Sequence, residues 1–287
     1  MKAVGLIDEY LKKFKDGTVG RNCEDSSVLV SVKQMYDALG DEKYFSIIDE
    51  CLKHFVMEDG SIEKEYADKF DSDSVNCCKL LFFMYDKTGE EKYRKAIENV
   101  MDWLREHSEK LSPEQVSMEE LYMVQPFYME YETRYDKKAK YSDIIKQFEN
   151  ADNQIKSGEN DIDQISLYLV SLIDALSGMS FEIYEKYRKI QDMFKAALTA
   201  LIKSDDKENG SYFGKIAGNE ENAMIAYAII KACRMGIILK EKYAPVGMEM
   251  VESLLENKLD DIFNDARSVG PFISAYGQYM LLKKEME

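Results

Sequence analysis

The sequence predicts an all-α chain folded as an (α/α)6 toroid of about twelve helices, and three observations predict it. The first is a repeat. Lys-Tyr recurs with copies ending at Tyr44, Tyr93, Tyr141, Tyr187 and Tyr243, in steps of 49, 48, 46 and 56 residues. A period of about 20–50 residues marks one supersecondary unit repeated along the chain. The second is periodicity. Ile97, Val100, Met101 and Leu104 form one helical apolar stripe, Ile225, Ala228, Ile229 and Ala232 another, and no alternating strand pattern competes with them. The third is the alternation of short and long connections between the expected helices.

The elements follow in order. Helices are expected near 3–15, 26–39, 42–56, 73–87, 90–107, 118–135, 139–151, 162–177, 181–203, 219–236, 241–255 and 271–286. The first three repeats extend beyond the dipeptide, over Met35–Tyr44, Met84–Tyr93 and Tyr135–Tyr141. The turn before each Lys-Tyr is a few residues long and carries Gly40 or Gly89 in two of them. Short connections make consecutive helices antiparallel neighbours. Longer connections, near 57–72, 108–117, 152–161, 204–218 and 256–270, hold most of the Gly, Asp, Asn and Ser. In a toroid of six inner and six outer helices, all of them emerge on one face, where loops on a rigid scaffold build sites. An open α-solenoid of similar hairpins is the alternative. The repeat runs end to end without a linker, so residues 1–287 read as a single domain.

Composition excludes several classes of partner. Net charge is −16, against the basic footprint that nucleic acids and anionic membranes require. No run approaches the about 20 apolar residues of a membrane span, and the first residues form an amphipathic helix start rather than a signal peptide. The five cysteines, Cys23, Cys51, Cys77, Cys78 and Cys233, match no zinc spacing and read as buried thiols of a reducing cytoplasm. His54 and His107 form no metal constellation, and neither adjoins a Ser or Cys nucleophile. No phosphate-cradling glycine loop is present. No metal and no cofactor are therefore expected; the oligomeric state is left open.

The expected inner helices start with acidic clusters: Glu24-Asp25, Asp71 and Asp73, Glu119-Glu120, Asp161 and Asp163, and Glu220-Glu221. Carboxylates at these positions cap helices and offset the macrodipole. In a toroid they also converge on one rim, where paired carboxylates can act as general acid and base. Tyr122, Phe127, Tyr128, Tyr168, Tyr212 and Phe213 lie near the same helix starts, as core residues or as platforms for sugar faces. Trp103 belongs to the packing stripe of Val100 and Leu104.

Glu120-Leu121-Tyr122-Met123-Val124-Gln125-Pro126-Phe127 resembles the Asp-Gly-Leu-Tyr-Met-x-x-Pro-Phe signature of the unsaturated uronyl hydrolases, glycoside hydrolase families 88 and 105. Leu80–Tyr93 is similar to that family's leucine-rich hairpin with Tyr-x-x-Thr-Gly-Asp-x-Lys-Tyr. Ala223–Ala228, Arg234-Met235-Gly236 and Gly270–Ala275 are similar to its late helices. The resemblance spans essentially the whole chain and implies the same (α/α)6 fold. It implies a hydrolase of unsaturated uronyl oligosaccharides, in which an Asp protonates the C4–C5 double bond, water adds and the hemiketal opens. Here Glu119 stands at the position of that acid, and Asp73 matches the second family Asp, with Asp71 as a register alternative. Glu120, Tyr122, Gln125, Asp163, Glu220 and Asn222 are the implied substrate-binding positions.

The chain departs from the pattern at its site. The family's Trp-x-Arg-Gly-x-Gly-Trp corresponds here to Asp161–Leu167, which holds no Trp, Arg or Gly, and Asp163 stands where the Arg belongs. Replacing a guanidinium by a carboxylate removes a bidentate clamp and repels an anion. The Ser-Gly-Ser before Ala-Met is replaced by Glu220-Glu221-Asn222, and the family histidines have no counterpart. The acidic rim favours a neutral or amino sugar. A small oligosaccharide is the expected partner of an active hydrolase. A sugar-binding or regulatory member without activity, and an interaction scaffold, are the alternatives.

Overall fold

The computed structural model describes residues 2–14, 23–107, 117–157, 161–205 and 218–287, without the side chains of residues 23, 65 and 203–205. These residues are helical apart from turns and one isolated bridge between Val56 and Ile62. They pack as two compact units, Met1–Glu106 with Val251–Glu287, and His107–Met250.

The first unit contains α1 (Lys2–Tyr10), a 3₁₀ turn (Leu11–Phe14), α2 (Cys23–Leu39), α3 (Glu42–Phe55), α4 (Lys64–Ala67), α5 (Ser72–Thr88), α6 (Glu91–Glu106), and later α13 (Leu259–Asn264) and α14 (Ala266–Met286). Three helices run parallel at its centre. Asn76 of α5 donates to Ser26 Oγ of α2 at 3.0 Å, so their first turns are level. Gly270 of α14 packs on Ser27, and Gln278 on Gln34, which sets α14 alongside α2 in the same direction. α2, α5 and α14 are buried on most sides, whereas α3 and α6 bury one stripe each (Tyr44, Ile48, Cys51, Leu52 and Phe55; Tyr93, Ala96, Ile97, Val100, Met101 and Leu104). That contrast is what separates inner from outer helices in the sequence pattern.

The second unit contains α7 (Met118–Arg134), α8 (Tyr141–Ser157), α9 (Ile162–Gly178), α10 (Tyr184–Asp205) and α11 (Asn219–Arg234); α12 (Lys240–Asn257) begins in it. α7, α9 and α11 are likewise parallel. Gly178 at the end of α9 meets Glu130 near the end of α7. Ser166 Oγ lies 3.5 Å from Met224 Sδ in the second turns of α9 and α11.

The Lys-Tyr repeat marks the first turns of α3, α6, α8, α10 and α12. Tyr44, Tyr93 and Tyr141 are wholly buried, each pinning its helix to the layer beneath. Tyr44 donates to Asp8 Oδ1 at 2.9 Å, and Tyr141 accepts the Ser180 N–H at 2.9 Å. Gly40 and Gly89 adopt the left-handed conformation (φ 65° and 69°) that reverses the chain before the repeat.

Helix limits depart from expectation where caps compete with propensity. The helix expected at 3–15 tightens to 3₁₀ after Tyr10. α8 starts at Tyr141 rather than 139, because Lys137 and Lys138 occupy positive φ (52° and 63°). It runs past 151 to Ser157, carried by buried Ala151 and Asp152 and by a Lys156–Asp152 ion pair one turn apart. α14 starts five residues before the expected Pro271, because Asp265 caps it by accepting from the Arg267 N–H. Pro271 therefore lies inside the helix rather than at its start.

Candidate functional site

In the second unit the parallel run of α7, α9 and α11 brings their first turns to one end. Glu119, Glu120, Asp163, Glu220 and Asn222 all belong to those turns. Glu119 is exposed, and Glu120, Asp163, Glu220 and Asn222 are half-buried. The capping demand at α7 is met by Ser117, whose side chain accepts from the Glu120 N–H at 3.0 Å. Neither carboxylate that follows it is consumed as the cap. α9 and α11 start differently: Asp161 makes no capping bond, and Gly218 has no side chain to make one. Glu221 folds back over Gly218, leaving its Oε2 buried and without a hydrogen-bond partner. The helix N-termini supply positive partial charge to this end, which favours carboxylates there.

Tyr122 and Gln125 lie further into α7. Tyr122 is buried at 8% exposure, and Gln125 is fully buried with neither amide atom hydrogen-bonded. A buried amide in that state carries a desolvation cost of about 1–3 kcal/mol. Phe127, Tyr128 and Tyr168 are core residues, and Tyr212 and Phe213 lie outside the described residues.

Asp73 belongs to the first unit, in the first turn of α5, and is half-buried. The structure separates it from its register alternative. Asp71 is the N-cap of α5, accepting from Ser74 N at 3.0 Å and from Ser74 Oγ at 2.9 Å in a capping box. Asp71 is thus committed to the helix end, and Asp73 is the carboxylate on the helix itself. Deeper in α5, Asn76 is fully buried and accepts a hydrogen bond from Lys79 Nζ at 2.6 Å. Neither Asn76 nor Lys79 stood out in the sequence; the only trace is a polar pair interrupting the apolar run from Val75 to Met84.

Among the described residues no three His, Cys, Asp or Glu side chains gather as a metal ion would need, and no helix is long and apolar enough to cross a membrane. Cys51, Cys77, Cys78 and Cys233 are free and buried. Burial pushes the Cys51 and Cys233 thiols up to about 12, and those of Cys77 and Cys78 upward as well. Such thiols are poor nucleophiles at neutral pH. Trp103 packs edge-on against Phe70, with ring centres 4.9 Å apart, as its stripe predicts.

Comparison with solved structures shows the fold. A glycoside hydrolase of family 105 from C. acetobutylicum ATCC 824 superposes with a TM-score of 0.76 at 19% identity, covering 96% of this chain and 98% of that one. A glycosyl hydrolase of family 88 from Bacteroides vulgatus gives 0.71 at 10% identity, covering 98% and 99%. A protein described as a polysaccharide lyase gives 0.74 at 12% identity, covering 99% of both chains. The all-α fold predicted from the repeat is the fold these proteins share, and it carries more than one chemistry. No curated protein matches the chain. The model of Glycosyl Hydrolase Family 88 matches residues 13–162, just over half of the sequence, and it includes the α5 start, the first three Lys-Tyr copies and the Glu119–Phe127 segment. On that match the chain belongs to glycosyl hydrolase family 88.

Proposed function

We propose that this protein hydrolyses short oligosaccharides that end in an unsaturated uronyl residue, with Glu119 as the general acid. The observation that carries the reading is the common end of α7, α9 and α11, where Glu119 leads a set of carboxylates not used as the α7 cap. In the chemistry the family implies, Glu119 gives its proton to C4 of the double bond. Water adds at C5, and the hemiketal opens to release the second sugar. Asp73, by its motif match, is assigned the second carboxylate role, and Glu120, Tyr122, Gln125, Asp163, Glu220 and Asn222 the binding roles. The repeat that runs along the whole chain supports treating it as one domain. The buried, reduced cysteines support a cytoplasmic setting.

A second reading has its own support. Glu119 is exposed and Asp163 occupies the place of the family Arg, a combination that suits a member that binds sugar without turning it over. One experiment separates the two. Turnover of unsaturated glucuronyl and galacturonyl disaccharides is followed by the loss of ultraviolet absorbance of the double bond, for wild type and Glu119→Gln. Turnover that drops at least about 100-fold in the variant supports the hydrolase with Glu119 as acid. Binding without turnover in folded wild type supports the second reading and removes the first.

A further inference from the structure

The charge of this chain is not spread evenly. In the second unit the parallel helices α7, α9 and α11 end in short connections, residues 135–140, 179–183 and 235–239, that lead into α8, α10 and α12. Two of these connections are pinned together. Lys138 Nζ donates to Glu182 at 2.7 Å, and the Ser180 N–H donates to the Tyr141 hydroxyl at 2.9 Å. Lys231 ties the last turns of α11 and α9 at the same end. Over the connections and the first two turns of the helices that follow (135–147, 179–190 and 235–246), nine Lys and Arg outnumber five Asp and Glu; in the rest of the chain 29 face 49. Three stretches far apart in sequence thus make one basic end on an acidic protein. The acidic starts of the same inner helices lie at their other end, about 25 Å away along the 17 residues of α7.

The basic end also carries the exposed large apolar residues described in this unit. Phe181, Tyr184 and Leu239 are 64%, 50% and 68% exposed. Phe181 is held in place although it is open to water: its ring meets Tyr184 at 5.3 Å and the buried Tyr187 at 5.1 Å, both edge to face. A fixed, exposed ring offers its negative face to the weakly positive C–H groups on one side of a sugar. Lys137 is exposed on the turn that Lys138 pins beside Phe181. Arg188 lies one turn after Tyr184 on the same face of α10, mostly exposed, with Asp192 3.5 Å away. Of the nearby carboxylates, Glu182 is neutralised by Lys138, and Glu185 is exposed.

We infer that this end of the second unit, at Phe181, Tyr184 and Lys137, is a docking surface for an acidic polysaccharide, a polyuronate chain. Size and sign select that occupant. Two rings surrounded by charges fall short of the apolar core of a stable protein interface, which buries about 800 Å² per partner. The excess of cations favours an anion. Double-stranded nucleic acid packs one charge into each 1.7 Å or so, which a chain of net charge −16 repels, whereas a polyuronate carries one carboxylate per sugar and C–H faces between them. The choice of sugar class rests on the function proposed above; the surface itself stands apart from the acidic end where that reaction is placed.

The test measures binding of saturated oligogalacturonate, of its neutral methyl ester, of polyglutamate and of a DNA oligonucleotide, by titration calorimetry at two salt concentrations. Wild type is compared with Phe181→Ala, Lys137→Gln and Glu185→Lys, whose exposed positions and unfolding midpoints check that each folds. Phe181→Ala is expected to weaken oligogalacturonate about tenfold. Lys137→Gln should weaken it about threefold and flatten its salt dependence, and Glu185→Lys should tighten it. Turnover of an unsaturated disaccharide should be the same in all four proteins. Wild type that binds no oligogalacturonate overturns the inference, and so does binding that Phe181→Ala leaves unchanged. Equal binding of acid and ester overturns it, as does polyglutamate or DNA bound as tightly as the sugar and lost in the same variants. Turnover without oligogalacturonate binding overturns it and leaves the hydrolase reading intact. Binding lost in Phe181→Ala, in a wild type that turns nothing over, supports it and removes the hydrolase reading.

Discussion

Gln278 donates a hydrogen bond to Gln34 at 2.6 Å, joining residues 244 positions apart in the chain. Both amides are buried, at 4% and 9% exposure, in the contact between α14 and α2. The contact is this close because Gly277 and Gly270 lack side chains. A Cβ on Gly277 would sit 2.8 Å from Gln34 Cβ and 2.9 Å from the Gln34 carbonyl carbon and oxygen.

Gly277→Ala is therefore expected to destabilise the protein by about 1–3 kcal/mol, since backbone, not a flexible side-chain tip, must give way. Gly5→Ala is the control. Gly5 lies in α1 with nothing within 4 Å of a new Cβ, so the substitution is expected to stabilise by about 0.5–1 kcal/mol. Denaturant midpoints of the two variants should move in opposite directions. A Gly277→Ala midpoint equal to wild type would show that α14 can slide away from α2.

The repeated tyrosines allow a comparison within one motif. The Tyr141 hydroxyl accepts from Ser180 N and pairs with Thr133, whereas the equally buried Tyr93 hydroxyl has no partner. Tyr141→Phe is expected to cost about 1–2 kcal/mol, and Tyr93→Phe to be neutral or stabilising. No loss at either position would mean that the ring alone, not the hydroxyl, anchors the outer helices.

At the far ends of α9 and α11, Lys231 Nζ donates to Asp174 Oδ1 at 2.7 Å, to Ser177 Oγ at 3.1 Å and to Tyr227 Oη at 3.1 Å. The Tyr227 hydroxyl also donates to Asp174 at 2.7 Å. The three protons of the ammonium match three acceptors, so this cluster is a clamp between helices with no donor left for a ligand. Lys231→Met is expected to lower stability by about 1–3 kcal/mol. In a double-mutant cycle, adding Asp174→Leu should cost less than it does alone. Additive losses would argue against the clamp.

The buried thiols make a pH prediction. Cys51 and Cys233 have an ordinary value of 9.0 and are pushed up to about 12, Cys51 by burial and then by Glu50, Cys233 by burial. Above the ordinary value the unfolded chain loses these protons while the native chain keeps them. The native state then binds more protons, and stability falls as pH rises, by up to about 1.4 kcal/mol per unit for each thiol. Below that value the thiols leave stability unchanged. Cys233→Ala should accordingly show a smaller drop in unfolding midpoint between about pH 8 and about pH 10 than wild type. An identical drop would place the alkaline loss elsewhere.

Much of the fold was legible because it is local. Hairpin period, Gly40 and Gly89 at the turns, and one-sided stripes such as Ile97, Val100, Met101 and Leu104 are all written within one or two helical turns. Helix limits were less legible. The Asp265 cap outweighs the start signal of Pro271, and two lysines at positive φ delay α8, outcomes that depend on which local hydrogen bond is made. The candidate carboxylates were legible through motif and helix position, but their condition was not. Nothing in the spelling of Asp71 and Asp73 says which one caps α5.

By itself the sequence determined that this protein is all helical, which helices are inner and outer, and which carboxylates open them. Those properties follow from periodicity and capping chemistry, whose range is a single turn. Tertiary structure alone decided that Gln125 is buried without a partner, that Lys231 is saturated, and that Lys79 is the one residue from Val75 to Met84 that is not buried. Burial and hydrogen-bond satisfaction depend on neighbours from distant segments, here as far as 244 residues apart, and no local pattern carries that information.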